Sequence, residues 1–171
     1  NRSEPWTVGQ RYQRHLLQVG FVDDLVGQLV RRLKDVGLYD RAMIVITSDH
    51  GISYMPNAPQ RNFVRKTAAE IMRVPLIVKF PEGIKVSSHI SEVNAQVVAI
   101  LPTIADALGI EVPRKVDGAS LLDPARRGRA VQAIVFGSKG RRHQIAPADL
   151  EIEPALRRKL DIFGDGPGRV H

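Results

Sequence analysis

The 171-residue sequence contains no cysteine. A disulfide framework, an iron–sulfur cluster, a thiolate zinc site and a cysteine nucleophile are therefore excluded within this chain, and the redox compartment stays open. Long apolar runs are missing too. The longest, Val97 to Leu108, is interrupted by Pro102 and Asp106, well short of the roughly 20 residues that span a bilayer. Aromatic residues make up only 5% of the chain, and between Arg126 and Lys159 the clustered basic residues have Phe136 alone among them, with Phe163 just beyond. That is a poor platform for stacking bases. The net charge of +7 therefore reads as a solvated basic face, with an anionic surface as the lesser alternative and no nucleic acid expected as a partner. The chain also lacks an initiator methionine, and Asn1 to Gly9 has no apolar core of a signal peptide, so a processed or excised segment is expected.

What is present suits one ordinary domain or part of one. With 43% hydrophobic and 25% charged residues, the chain can bury a core and has none of the marks of a disordered polymer. From Gln10 to Val36, His15, Val19, Val22, Val26, Leu29 and Leu33 recur in steps of three and four, which predicts a long amphipathic helix ended by Gly37. Met43 to Ile46 is a short, largely β-branched run, predicted to be a strand buried on both faces. Ser48 to Lys66, with Gly51, Pro56, Asn57 and Pro59, reads as an exposed loop, and Val74 to Lys79 as a second buried strand. A helical pattern then runs from about Asn94 to Leu108, with Pro102 marking a kink or a fresh start and Gly109 the stop. Val131 to Phe136 is a third strand candidate, Glu153 to Ile162 a terminal helix and Gly164 to His171 a tail. Helices alternating with buried strands place the chain in the α/β class.

The chemistry concentrates at Thr47, Ser48, Asp49, His50 and Gly51, just past the first strand. Open α/β sheets bind ligands beyond the carboxyl ends of their strands. A carboxylate and an imidazole side by side suit Zn²⁺ or Mn²⁺, whereas an all-oxygen set would favour Ca²⁺ or Mg²⁺. Two neighbours do not complete a site, since a catalytic zinc usually takes three protein ligands; the alternative is a turn in which Asp49 caps the next segment. In a βαβ layer the amino end of the long helix lies at this same edge, which brings His15 near it. His15 is read as a satisfied core residue.

Four motifs in order then become recognisable. Gly37, Leu38, Tyr39 and Asp40 lead into the first strand and Ser48, Asp49, His50, Gly51; Arg73, Val74, Pro75, Leu76, Ile77 form the second; Leu101, Pro102, Thr103, Ile104 open a helix; and Asp117, Gly118, Ala119, Ser120, Leu121, Leu122 form a loop. Over about Tyr12 to Leu122 this order resembles the carboxyl-terminal half of the sulfatase branch of the alkaline phosphatase superfamily. The resemblance implies an αβα three-layer sandwich, of which residues 1–136 would be the carboxyl-terminal segment and 137–171 an extension with a short helix and tail.

It also implies a hydrolase or transferase of sulfate or phosphate esters with a metal-activated nucleophile. Asp49 and His50 take the positions of the late metal-ligand pair. Many arylsulfatases of the family have Asp-Asn there with Ca²⁺, whereas Asp-His is usual in the phosphate, phosphonate and phosphoglycerol-transfer members. Mn²⁺ or Zn²⁺ is therefore expected over Ca²⁺ or Mg²⁺, and phosphoryl chemistry is favoured. Lys66 is the best match to a lysine that contacts the sulfate or phosphate, with Arg65 as its substitute.

The family's nucleophile lies in the amino-terminal half, beside further carboxylate ligands, and that half is not in this chain. Ser3, Glu4, Pro5, Trp6 and Thr7 mimic a Ser-x-Pro-x-Arg signature without its arginine. The expected partners are thus the amino-terminal half of the same domain and a small-molecule, lipid or glycan ester, and the chain alone is expected to be inactive. Tyr12 to Leu17 resembles sulfatase-like domains attached to membrane spans, which implies membrane association through parts outside these residues. A non-catalytic domain that kept the fold is the competing reading.

Overall fold

A computed structural model describes residues 4–86, 88, 90–91, 95–126, 133–136, 142–145 and 150–151. Helix α1 runs Pro5–Asp35. Pro5 opens it, at a position where a missing N–H leaves no helix bond unmade, so the helix starts a turn and a half earlier than its apolar pattern. Gly37 ends it in the left-handed region at φ 69°, and the Leu38 N–H reaches back to the Leu33 carbonyl at 2.9 Å.

Strand β1, Ile44–Thr47, pairs with β2, Leu76–Lys79, in antiparallel register from Ile44 opposite Lys79 to Thr47 opposite Leu76. The α/β class stands, but this pair departs from βαβ layering. The connection carries only a 3₁₀ turn, Arg65–Thr67, and the five-residue helix α2, Ala68–Met72, and it returns the chain beside β1 in the opposite sense. Burial on both faces is also corrected: β1 and β2 are half-buried, with Thr47 and Ile77 exposed. Among the described residues the two strands pair only with each other, so neither is flanked as an interior strand would be.

Helix α3, Ile100–Leu108, follows a 3₁₀ turn at Val97–Ala99. Pro102 therefore lies in its first turn, the fresh-start alternative, where its absent N–H costs no intrahelical bond. Gly109 stops it at φ 65°, with the Ile110 N–H on the Ala105 carbonyl at 2.8 Å. Strands β3, Ala133–Phe136, and β4, Arg142–Ile145, make a second two-stranded sheet. Asn94 and the expected helix and tail at Glu153 to Ile162 and Gly164 to His171 lie outside the described residues. No described helix is long and apolar enough to cross a membrane.

The chain groups into two compact units interleaved in sequence. One gathers Asn1–Leu29, His50–Val74 and Ile134–His171, the other Val30–Asp49 and Pro75–Ala133. The first buries Val8, Tyr54, Ala68, Ala69, Ile71 and Ile145. In the second, the Lys79 ammonium donates to the carbonyls of Tyr39, Asp40 and Ala42 and stands 4.6 Å from the Tyr39 ring centroid, which ties the approach to β1 to the end of β2.

The second unit also carries a buried hydroxyl clasp. Thr103 Oγ1 donates to the Ala99 carbonyl at 2.6 Å and accepts the Leu121 N–H at 2.9 Å, so it holds the Gly118 to Leu122 loop on α3. Ser120 repeats the arrangement from the loop side, donating to Asp106 Oδ2 at 2.7 Å and accepting the Leu122 N–H at 3.1 Å. Thr103→Val keeps the shape but takes the partner from the half-buried Leu121 N–H; it is expected to lower the unfolding free energy by about 1–3 kcal/mol in urea denaturation.

Candidate functional site

Asp49 and His50 follow β1 after Ser48. Asp49 is exposed and accepts the Ser48 hydroxyl at 3.4 Å. His50 is half-buried, and its Nδ1 lies 2.8 Å from the Gly51 carbonyl oxygen. A carbonyl can only accept, so this bond requires a proton on Nδ1, and in the neutral ring that makes Nε2 the acceptor nitrogen. Metal-ligating histidines are held in this way, with one ring N–H on a backbone carbonyl and the other nitrogen turned to the ion.

The loop after His50 is anchored within its own unit. The Gly51 N–H donates to the Ile71 carbonyl at the end of α2, 2.7 Å away. Ser53, 1% exposed, donates through Oγ to Glu70 Oε2 and accepts the Met55 N–H at 3.2 Å, while its own N–H reaches the Gln60 carbonyl at 2.9 Å. Tyr54, 4% exposed, meets Tyr12 of α1 edge to face at 5.2 Å between centroids and lies 5.7 Å from the His15 ring. His15 is thus a half-buried residue beside this loop, less enclosed than the core position read from the sequence.

Lys66 sits on the 3₁₀ turn before α2, exposed, with its ammonium on the Asn57 carbonyl at 3.4 Å. Asn57 itself is left-handed at φ 57°. The structure thus places Lys66 in the loop that follows His50, engaged with that loop's backbone. Gly51 belongs to the motif read from the sequence, but its docking on Ile71 does not show there, and Ser53, Tyr54 and Glu70 carry no sequence signal, because what matters about each is a distant partner that no periodicity links.

A carboxylate oxygen and an imidazole nitrogen are donor types that suit a divalent transition-metal ion, and the contact of His50 Nδ1 with the Gly51 carbonyl is the structural observation compatible with one. Among the described residues no group of three His, Cys, Asp or Glu converges, so the pair does not close a site by itself.

A family model for sulfatases matches residues 2–110, most of the chain. The chain belongs to the sulfatase family. It is 34% identical over 117 residues to an N-acetylglucosamine-6-O-sulfatase of Bacteroides thetaiotaomicron, covering 68% of this chain and 20% of that protein. To the N-sulphoglucosamine sulphohydrolase of Homo sapiens it is 32% identical over 130 residues, 71% of this chain and 24% of that protein. A multifunctional alkaline phosphatase superfamily protein, PehA of Trinickia caryophylli, is 32% identical over 110 residues, 63% of this chain and 21% of its own length. This sulfatase-family chain therefore spans about a fifth of the curated relatives it matches. The match takes in α1, β1, the Asp49–His50 turn, α2, β2 and α3.

One group beside the turn titrates abnormally. Burial raises the Tyr54 phenol above its ordinary value, the neighbouring Tyr12 adds to this and Arg61 opposes it. The folded sulfatase chain thus holds this proton more tightly than the unfolded chain does. Its stabilising effect is complete below about pH 10, the free phenol's value, and is lost as pH rises from there through the raised folded value. Urea midpoints measured from pH 8 to 11 are expected to fall above about pH 10, and to fall less steeply in Tyr54→Phe; parallel curves would contradict the assignment.

Proposed function

We propose that this chain supplies the Asp49–His50 pair to a metal-dependent hydrolase or transferase of sulfate or phosphate esters, as the carboxyl-terminal half of its catalytic domain. The observation that carries the reading is the His50 ring held by the Gly51 carbonyl immediately beside Asp49, in a chain of the sulfatase family. A divalent ion bound there, Mn²⁺ or Zn²⁺ in preference to Ca²⁺ or Mg²⁺, would supply positive charge to hold a nucleophile as its oxyanion and to offset charge on the ester's non-bridging oxygens. Asp49 provides a hard anionic ligand and His50 a softer neutral one. Lys66, on the same loop, is the cation assigned to the transferred group's oxygens, with donors to spare beyond the one on the Asn57 carbonyl.

Sulfate and phosphate esters both remain within the reading. The Asp-His pair favours phosphate, while two of the relatives are named for sulfated glucosamines, which favours a glycan sulfate.

The nucleophile and the remaining ligands belong to the amino-terminal half, the partner of this reading. Support comes from the middle of α1. Every residue from Leu16 to Leu25 is exposed, and Leu16, Leu17, Val19, Phe21, Val22 and Leu25 are large apolar side chains among them. At 100° per residue these apolar side chains fall on several faces of the helix, between the polar Gln18, Asp23 and Asp24. So much exposed apolar surface calls for a partner that covers it, which the rest of the same domain would provide.

The chain alone is expected to give no turnover of aryl phosphate or aryl sulfate with Mn²⁺, and Asp49-dependent turnover would overturn this. In a catalytic domain completed with its amino-terminal half, Asp49→Ala and His50→Ala are each expected to lower kcat/KM by about 100-fold or more. Full activity in both variants would overturn the role given to the pair, and a completed domain without any turnover would favour the non-catalytic reading.

A further inference from the structure

Both halves of the Gly51 backbone are engaged, on opposite sides. Its N–H is bonded to Ile71 at the end of α2, 2.7 Å away, and its carbonyl receives the imidazole of His50 at 2.8 Å. The approach to α2 is as close as backbone allows: a Cβ at position 51 would overlap the Glu70 carbonyl oxygen and stand 3.0 Å from the Glu70 carbon and 3.3 Å from the Ile71 Cα. Glycine is required here by that contact and not by an unusual dihedral, since the left-handed glycines are Gly37, Gly83 and Gly109. Two residues on, the Ser53 hydroxyl grips the Glu70 carboxylate, so the same turn of α2 is held by backbone at Gly51 and by side chain at Ser53.

We propose that Gly51 is the positioning residue of His50: its docking on the end of α2 fixes the carbonyl that holds the imidazole as the Nδ1–H tautomer, with Nε2 presented to a divalent cation. The last step rests on the metal reading above; the tautomer does not. The physical chain is short. α2 fixes the Gly51 peptide, the Gly51 carbonyl fixes the Nδ1 proton, and the lone pair is thereby fixed on Nε2. Any side chain at 51 lifts the peptide off α2 and releases the ring, although the residue at 51 touches no ligand itself. Ser53 and Glu70 support the same placement from the second anchor point.

The test needs no turnover. In the full chain labelled with ¹⁵N-histidine and free of metal, long-range proton–nitrogen correlation spectra above the imidazole titration range report the His50 tautomer directly. Nδ1–H is expected in the wild type, and Nε2–H would overturn the proposal. Gly51→Ala is expected to lose the Nδ1–H form and to weaken Mn²⁺ binding, followed by the free-ion electron paramagnetic resonance signal, by about 10- to 100-fold. A folded Gly51→Ala chain that keeps both the tautomer and the Mn²⁺ affinity would also overturn it.

Should Gly51→Ala not fold, Ser53→Ala is expected to shift tautomer and affinity in the same direction and Ser53→Thr, which keeps the hydroxyl, to restore them; no change in Ser53→Ala would count against the proposal. Thr103→Val, which removes a clasp in the other unit, is the control for general destabilisation and is expected to leave both readouts unchanged. Asp49→Ala separates the two claims. If it leaves Mn²⁺ binding intact while the tautomer still depends on Gly51, the metal reading fails and the positioning of the ring stands. If it abolishes binding while Gly51→Ala does not, the positioning fails alone.

Discussion

Where Gly51 meets the end of α2, two stretches of backbone lie closer than any side chain between them would permit, and an amide of one is bonded to a carbonyl of the other. Without that contact the chain leaving β1 would be a polar turn with no fixed course. With it, the four residues after Thr47 run to a defined anchor, and the His50 ring acquires a fixed partner in the Gly51 carbonyl. Ser53 and Tyr54, nearly inaccessible to solvent, extend the same anchoring to Glu70 and to Tyr12 of α1. A buried hydroxyl on a carboxylate and a T-shaped ring pair are each modest contributions. Their value here is that they act on consecutive residues, so the loop has little freedom left to lose.

Asp49 and His50 are neighbours in the chain, Asp49 two residues past β1 and His50 next to the anchored Gly51. The strand before Asp49 is held by its pairing with β2, and the turn after His50 by the Gly51 N–H on the Ile71 carbonyl and the Ser53 hydroxyl on Glu70. Holding the strand and holding the turn are separate physical problems. The sulfatase-family match spans the elements that solve both.

Much of this was legible in the residues. Of the apolar face read over His15, Val19, Val22, Val26, Leu29 and Leu33, the structure half-buries His15, Val26 and Leu33 and leaves Val19, Val22 and Leu29 exposed, while Gly37 and Gly109 stop their helices for the reason glycine suggests, a positive φ. The apolar runs locate β1 and β2 to within a residue or two. Their antiparallel pairing was not legible, because alternation and burial do not encode strand sense, and their half-exposure was not, because a β-branched run reads the same whether one or two neighbours flank it. Helix α2 is too short for a periodic signal, and β4, Arg-His-Gln-Ile, has hardly any apolar pattern. Asp49 and His50 stood out by residue type and position after a strand; the docking of Gly51 did not, since its partner, Ile71, shares no pattern with it.

The central claim is that Asp49 and His50 hold one ion together, through a carboxylate oxygen and Nε2. Anomalous diffraction at the zinc edge, from crystals grown with Zn²⁺, addresses it most directly. The account predicts a single strong peak about 2.0–2.2 Å from both an Asp49 carboxylate oxygen and His50 Nε2. A peak on His50 Nδ1, on only one of the two residues, or on neither would contradict it.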